Sequence, residues 1–325
     1  MPKAIQIHAH GGPEVLRWEE IDVPAPAAHE VRIRQEAVGL NYVDIYYRIG
    51  LYKAEKLPAI LGMEAAGVID AVGNGVTGFK IGDRVAYAGG PTGAYAESRI
   101  MPAARVVALP AWCSSRQAAS MLLQGMTAHY LIHDAFRLES NHTVLLHAAA
   151  GGVGQILTQW AKAKGATVIA TVGSEPKAAK VRQLGADHVI NYVSEDFVAR
   201  VKEVTAAKGV DVVYDSVGQA TFMGSLDCLR PRGLLASFGQ ASGAVPAFDP
   251  GILSAKGSLF LTRPSLGHYI GTPEELSRRA SDLFKAVQEG VLKIESNQSF
   301  ALKDAAEAHR ALEARQTTGS VVLLV

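Results

Sequence analysis

The sequence predicts an α/β protein of two domains, a compact β-rich domain and a doubly wound parallel sheet with crossover helices. Three observations carry that expectation. The first third is a run of short alternating segments cut by Gly and Pro. From Thr143 to Phe238, apolar strands and helical segments take turns. A small-residue turn, His147-Ala-Ala-Ala-Gly151-Gly152-Val153-Gly154, joins the first of those strands to a helix.

In the β-rich part, Ala4–His8 and Val31–Arg34 alternate, Ala66–Gly73 is a further strand, and Gly82–Ala86 opens another. Gly11-Gly12-Pro13 and Pro24-Ala25-Pro26 punctuate them. Segment 115–136 reads as helix, with Ala118, Ala119, Met121, Leu122 and Leu123 on or near one face. Strands follow at 143–147, 166–172, 188–191, 210–215 and 233–238, separated by helices at 154–164, 176–184, 197–208 and 222–229. Parallel neighbours require crossovers, so this alternation demands a parallel sheet. Helices at 273–288 and 303–314 precede a final strand, Ser320–Val325, which is expected to return to the β-rich part.

The length of 325 residues suits two domains. Thirty-two Lys and Arg against 31 Asp and Glu leave a net charge of +1, so nothing points to nucleic acid or a charged membrane surface. At 48% hydrophobic and 19% charged, the chain has ample core material. Its two cysteines, Cys113 and Cys228, exclude a disulfide framework and a four-cysteine zinc lobe, and suit a cytoplasmic protein. The start, Met1-Pro2-Lys3-Ala4-Ile5, lacks the apolar run of a signal peptide.

The turn carries the chemistry. A chain that bends this sharply needs small residues, and a pyrophosphate needs backbone N–H groups with no side chain in between. The helix N-terminus adds partial positive charge at the anion. One departure stands out: the first glycine of the G-x-G-x-x-G pattern is Ala149, with Gly151 and Gly154 in the other two places. Dinucleotide sites that take NAD carry Asp or Glu about 20 residues on, at the end of the second strand. Gly173 occupies that place, so no carboxylate repels a 2′-phosphate there. Ser174 offers a donor, and Lys177 sits in a first helical turn where the dipole gives a cation no reason to be. Glu175 reads as a solvated first-turn residue. These features point to NADPH.

The run Asn141–Gly154 with Gln155 and Gln159 resembles that of the zeta-crystallin-like quinone oxidoreductases, the zinc-free branch of the medium-chain dehydrogenase/reductase superfamily. Gly11–Leu16, Gly39–Asp44, Gly62–Gly67, Tyr214–Gly218 and Thr262–Ser265 match the same family in the same order. The resemblance implies a GroES-like catalytic domain (1–124 and 265–325) split by a Rossmann domain (125–264). It also implies an interdomain cleft holding nicotinamide and quinone, and a homodimer joined through the edge strand 257–262. Zinc-dependent relatives place Cys where this chain has Asn41, and His after Gly in the segment Gly62-Met63-Glu64, so no catalytic metal is expected.

By the same resemblance, Asn41, Tyr46, Tyr52 and Arg263 line the substrate and nicotinamide. Arg263 and Tyr52 are assigned to oxyanion stabilisation or proton supply, and Asn41 to orienting the nicotinamide or a water. Ordered solvent is the alternative proton source, and half-buried packing the alternative role for each Tyr. Cofactor contacts carried over are Thr127, Tyr130, Gly152, Val153, Tyr192, Ser216, Phe238, Gly239, Leu261, Thr262 and Arg315, beside Gly173, Ser174 and Lys177. Asp44 and Arg48 are spaced to pair on a short helix, and Glu64 reads as structural. The pairs His129/His133 and His8/His10 share faces but lack further ligands. The alternative activity is reduction of an activated C=C bond, as in an enal or enone. A crystallin-like or RNA-binding role is the alternative of another class, which the charge balance disfavours.

Overall fold

The computed structural model describes residues 1–296 and 298–325. The chain divides into two units: Met1–Gln124 with Ile270–Lys285 and Ile294–Val325, and Gly125–Tyr269 with Ala286–Lys293. Residues 265–269 and 286–293, which the sequence places with the β-rich domain, group instead with the parallel sheet. The reason is local: the Tyr269 ring stacks on Tyr130 at 4.2 Å, and Gln159 exchanges hydrogen bonds with the backbone of Lys293.

Strand Glu30–Leu40 is the spine of the first unit. It pairs antiparallel with Glu64–Val72, with Ser98–Pro102 and with the terminal strand Val321–Leu324, which does return to the β-rich part. Along the spine the positions that join the core are Val31 and Ile33, then Val38 and Leu40. The switch from odd to even numbers coincides with a register shift between Gln35 and Ala37, the extra residue of a bulge re-aiming every later side chain. The inward face meets Ile5, Ile7, Leu61, Ile69, Val85 and Tyr95 in one core.

Helix Tyr42–Arg48 follows the spine directly. Its Arg48 is 1% exposed and does not pair with Asp44. The guanidinium forks onto Glu313 at 2.6 and 3.0 Å, donates to the Gly11 carbonyl at 3.1 Å, and donates to His309 Nδ1 at 2.9 Å. Asp44 faces the other way, accepting the Asn41 backbone N–H at 2.9 Å. The i,i+4 spacing is there, but a buried guanidinium needs more acceptors than one carboxylate supplies.

The second unit is a six-stranded, all-parallel sheet in the order 188–191, 167–172, 143–146, 210–215, 229–237, 260–262. The chain leaves Thr143–Leu146 toward one edge and returns to its other side at Val210–Asp215. This reversal opens a crevice at the carboxyl ends of those two strands, where such sheets bind ligands. Leu145, Ile169, Val213, Phe222, Leu226 and Leu235 form part of its core.

Three helices differ from expectation. Segment 115–136 is a helix Ser115–Ala119, a second helix Leu122–Tyr130 and a wider π turn Leu131–Ala135. The break falls where the Ser120 hydroxyl donates to the Gln117 carbonyl and i→i−3 bonds tighten the chain. Helix Phe197–Val204 stops early because Ala206 and Ala207 turn left-handed, with φ of 48° and 60°. The last helix is a 3₁₀ turn, Leu302–Asp304, followed by Ala305–Glu313.

Replacing Arg48 by Met is expected to cost about 1–3 kcal/mol, because it leaves the buried His309 acceptor without its donor while Glu313, partly exposed, turns to solvent. Urea unfolding of the variant checks this; a loss below about 1 kcal/mol, the worth of an exposed pair, contradicts it.

Candidate active site

The small-residue turn 147–154 lies at the switch point. His147 follows the buried strand Thr143–Leu146, and Ala148 turns left-handed, with φ of 51°. The Gly151 N–H closes the bend onto the Ala148 carbonyl at 2.9 Å. Gly151 then caps helix Gly152–Ala163 and carries no side chain to occupy the first-turn amides. A Cβ on Gly154 would stand 2.5 Å from the Ala148 oxygen and 2.7 Å from the Ala149 Cα, so glycine there lets helix and strand approach. This small-residue cradle at a helix N-terminus fits a pyrophosphate.

Behind the turn is a buried polar network. Thr171 Oγ1 lies 2.9 Å from His147 Nδ1, and Ser225 Oγ lies 3.1 Å from His147 Nε2. Ser225 donates to Asp215 at 3.0 Å. Burial holds the His147 pKa below the usual imidazole value, with the Asp215 charge opposing. The neutral ring ties together the strand ends that frame the crevice. The sequence reading uses His147 only as part of the turn; its signal is an imidazole at the end of an apolar strand.

The other residues of this unit that the sequence marks as expected cofactor contacts follow the same strand ends. Tyr192 lies against Gly173, where a Cβ would come within 2.4 Å of the tyrosine oxygen. Ser174 caps helix Glu175–Gln183, and half-buried Lys177 is in its first turn. Glu175 is exposed and ion-pairs with Arg182. Ser216 and Gly239 touch, a Cβ on Gly239 falling 2.6 Å from the Ser216 carbonyl, and Phe238 binds the Asp215 carbonyl through its N–H. Leu261 and Thr262 belong to the edge strand, and exposed Arg263 follows it. Thr127 and Tyr130 are buried in helix Leu122–Tyr130, the latter beneath Tyr269.

The first unit holds Asn41, Tyr46 and Tyr52 and brings the two tyrosines together. Tyr46 meets Tyr52 edge-on at 5.2 Å and Tyr42 at 5.7 Å, so aromatic edges and hydroxyls cluster along one helix. Arg315, also here, is exposed and left-handed (φ 58°) just beyond helix Ala305–Glu313, a place where glycine is usual.

Asn41 is 5% exposed and held on every side. Its Nδ2 donates to Glu64 Oε2 at 2.7 Å, and its Oδ1 accepts from Gln124 at 3.2 Å. Gln124 in turn accepts from the Ser320 hydroxyl at 2.6 Å. Glu64 Oε1 accepts the Leu123 N–H at 2.8 Å. A Cβ on Gly39 would fall 2.3 Å from Glu64 Oε2, so that glycine makes room for the carboxyl. Asp44 also accepts from Tyr95 at 3.1 Å, and Tyr95 meets His309 Nε2 at 3.0 Å. Burial pushes Glu64 up to about 8 and Asp44 up to about 7, against hydrogen bonds from Asn41 and, respectively, the Leu123 amide and the Tyr95 hydroxyl. Burial and the neighbouring Arg48 hold His309 down at about 3.

Gln124, Ser320, Tyr95, His309 and Glu313 have no place in the sequence reading. His309 leaves a trace, since it shares the apolar stripe Ala305–Ala308–Leu312. The His pairs separate: His8 meets Glu19 and His10 the Tyr47 carbonyl, while the His129 and His133 rings lie 4.4 Å apart beside Trp160. Among the described residues, no three His, Cys, Asp or Glu side chains converge as metal ligands.

Residues 27–111 match the alcohol dehydrogenase GroES-like domain, and residues 152–286 match the zinc-binding dehydrogenase family. A quinone oxidoreductase of Pseudomonas aeruginosa is 52% identical, with 100% of each chain covered. The chain belongs to the quinone oxidoreductase family. Within it, the structure of the Escherichia coli quinone oxidoreductase complexed with NADPH superposes with a TM-score of 0.98 at 48% identity, covering 99% of this chain and 100% of that one. A 2-haloacrylate reductase of a Burkholderia species is 45% identical, with 100% of this chain and 99% of the relative covered.

Both raised carboxyls hold protons in the folded state that the unfolded chain releases, so they favour folding at low pH. That contribution is lost as pH rises from the unfolded values toward about 7 for Asp44 and about 8 for Glu64. Thermal unfolding at fixed steps from pH 5 to 8 is expected to show a shallower loss of stability in Glu64→Gln than in the parent, by up to about 1.4 kcal/mol per pH unit. Parallel slopes would contradict the assignment.

Proposed function

We propose that the protein is an NADPH-dependent quinone reductase that works without zinc. One observation carries the cofactor choice: the place of the ribose-binding carboxylate is Gly173, and the Tyr192 hydroxyl fills the space a side chain there would need. Ser174 and Lys177, with Arg315 from just beyond the last helix, then supply donors and charge for a 2′-phosphate, a guanidinium being suited to bidentate capture. The turn from Ala148 to Gly154 takes the pyrophosphate.

Bound NADPH would supply the hydride, and the quinone takes up that hydride and one proton. Asn41 orients the nicotinamide. The Tyr46–Tyr52 cluster offers flat apolar contact for a ring, and the Tyr52 hydroxyl and Arg263 guanidinium counter the charge that forms on the acceptor oxygen. Asn41 and Met63, where zinc-dependent relatives carry Cys and His, are not usual zinc ligands, and the Asn41 amide is already engaged by Glu64. The 2-haloacrylate reductase relative favours a second reading, hydride delivery to an activated C=C bond. Both acceptors are electron-poor conjugated systems. We further read the protein as cytoplasmic, with reduced thiols, and as a homodimer. In support of the dimer, Phe260–Thr262 bonds to one neighbour, Leu229–Ser237, and exposes 61% of Phe260.

Steady-state oxidation of NADPH and NADH with 1,4-naphthoquinone and a 2-alkenal tests the activity. Turnover is expected to be faster with NADPH and the quinone and unchanged by a chelator. Lys177→Ala should raise the KM for NADPH by at least about ten-fold while leaving that for NADH nearly unchanged. Equal effects on both would refute the 2′-phosphate assignment, and faster turnover of the alkenal would favour the second reading. Sedimentation at micromolar concentration is expected to show the dimer; a monomer alone removes it.

A further inference from the structure

We propose that Glu64 is a positioning residue that decides which end of the Asn41 side-chain amide faces the dinucleotide. The inference rests on the reading that Asn41 meets the nicotinamide. Its physical basis is the direction of a hydrogen-bond chain. The Leu123 backbone amide can only donate, and it takes Glu64 Oε1 at 2.8 Å. A carboxylate can only accept, so Asn41 must bring Nδ2, not Oδ1, to Oε2. Oδ1 then has to meet the donor end of Gln124, whose acceptor end meets the Ser320 hydroxyl. Each amide is fixed by the one before it, and Glu64 is the terminus that sets the sense. The second Nδ2 hydrogen has only a long bond to the Gly39 carbonyl, at 3.5 Å.

A glutamine at 64 has the same shape and inverts the chain. Its carbonyl stays with Leu123, and its NH₂ must face Asn41. The Asn41 amide flips, Gln124 flips behind it, and the Ser320 hydroxyl changes from donor to acceptor. The flipped chain keeps its internal bonds, while the NH₂ and carbonyl ends of Asn41 trade places. The protonated acid acts as the glutamine does, so the effect belongs to the ionised form. The titratable or charged groups around Glu64 are Asp44, from helix Tyr42–Arg48, and Tyr87, from strand Arg84–Ala88, with Arg99 over its ring.

The test is kcat/KM for NADPH at pH 9, above the Glu64 titration near 8, in the full-length enzyme. Glu64→Gln is expected to lower it about ten-fold, mostly through KM for NADPH, as for one lost hydrogen bond and a misplaced acceptor. In an Asn41→Ala background the same change should cost less than about two-fold, because its target is gone. The gap between parent and Glu64→Gln should close toward pH 6, where both are neutral. Full activity of Glu64→Gln at pH 9, or an undiminished cost without Asn41, overturns the proposal. Gln124→Leu keeps the question open to refutation even where Glu64→Gln does not fold. It should lose less than about three-fold if Glu64 sets the amide, and a loss matching Asn41→Ala would assign the role to Gln124 instead. A parent that oxidises NADPH while Glu64→Gln shows no effect removes the role of Glu64 alone, whereas a parent that oxidises none removes the underlying reading.

Discussion

A guanidinium at 1% exposure has to be matched group for group, and the way Arg48 is matched orients much of the first unit. Two of its bonds reach Glu313, one reaches Gly11, and one reaches His309 Nδ1. The last bond has the longest reach. An imidazole that accepts at Nδ1 and stays neutral must carry its proton on Nε2, so it donates to Tyr95. Tyr95 then donates to Asp44, and Asp44 holds the backbone of Asn41. One fixed charge thus gives a direction to successive donors across residues 261 apart in sequence.

The second unit anchors its site with the opposite balance. Asp215 is as buried as Asp44, yet it accepts from the Val217 and Gly218 amides and the Thr221 and Ser225 hydroxyls. Asp44 accepts from Asn41 and Tyr95 at one oxygen, while its Oδ1 is buried with no hydrogen-bond partner. Desolvation therefore dominates at Asp44 and pushes it up to about 7. The two carboxylates differ in how many donors surround them, not in how deeply they are buried. The second unit surrounds its acid with donors behind the turn, whereas the unit carrying Asn41 keeps two acids close to titration.

What was legible in the sequence was whatever repeats locally. The strand–helix alternation, the turn at His147–Gly154 and the return of the last strand all follow from period and chain continuity. The polar junctions were not legible, because Arg48, His309, Tyr95 and Glu64 meet only through the tertiary fold. The i,i+4 rule even suggested the wrong partner for Arg48, since local spacing says nothing about a carboxylate on a distant helix. The break at Ser120 depends on a side chain competing for a helix carbonyl, which propensity alone does not decide. Family resemblance made Asn41 an expected site residue, but the amide chain that holds it was not legible.

The departure at Ala149 shows which part of the glycine pattern the fold needs. Ala149 is fully buried and donates its N–H to the Thr171 carbonyl at 3.2 Å, so its methyl group belongs to the packing between strands. The left-handed residue of the turn is Ala148, and a non-glycine residue there costs about 1–2 kcal/mol. The closed turn from Gly151 and the buried strand beneath hold it in place. Gly154 has no such freedom, because any Cβ would strike the backbone of both alanines. The distance between helix and strand is therefore the constraint that selects glycine. A cradle for phosphate survives alanine in the bend as long as the helix N-terminus can come down onto the strand.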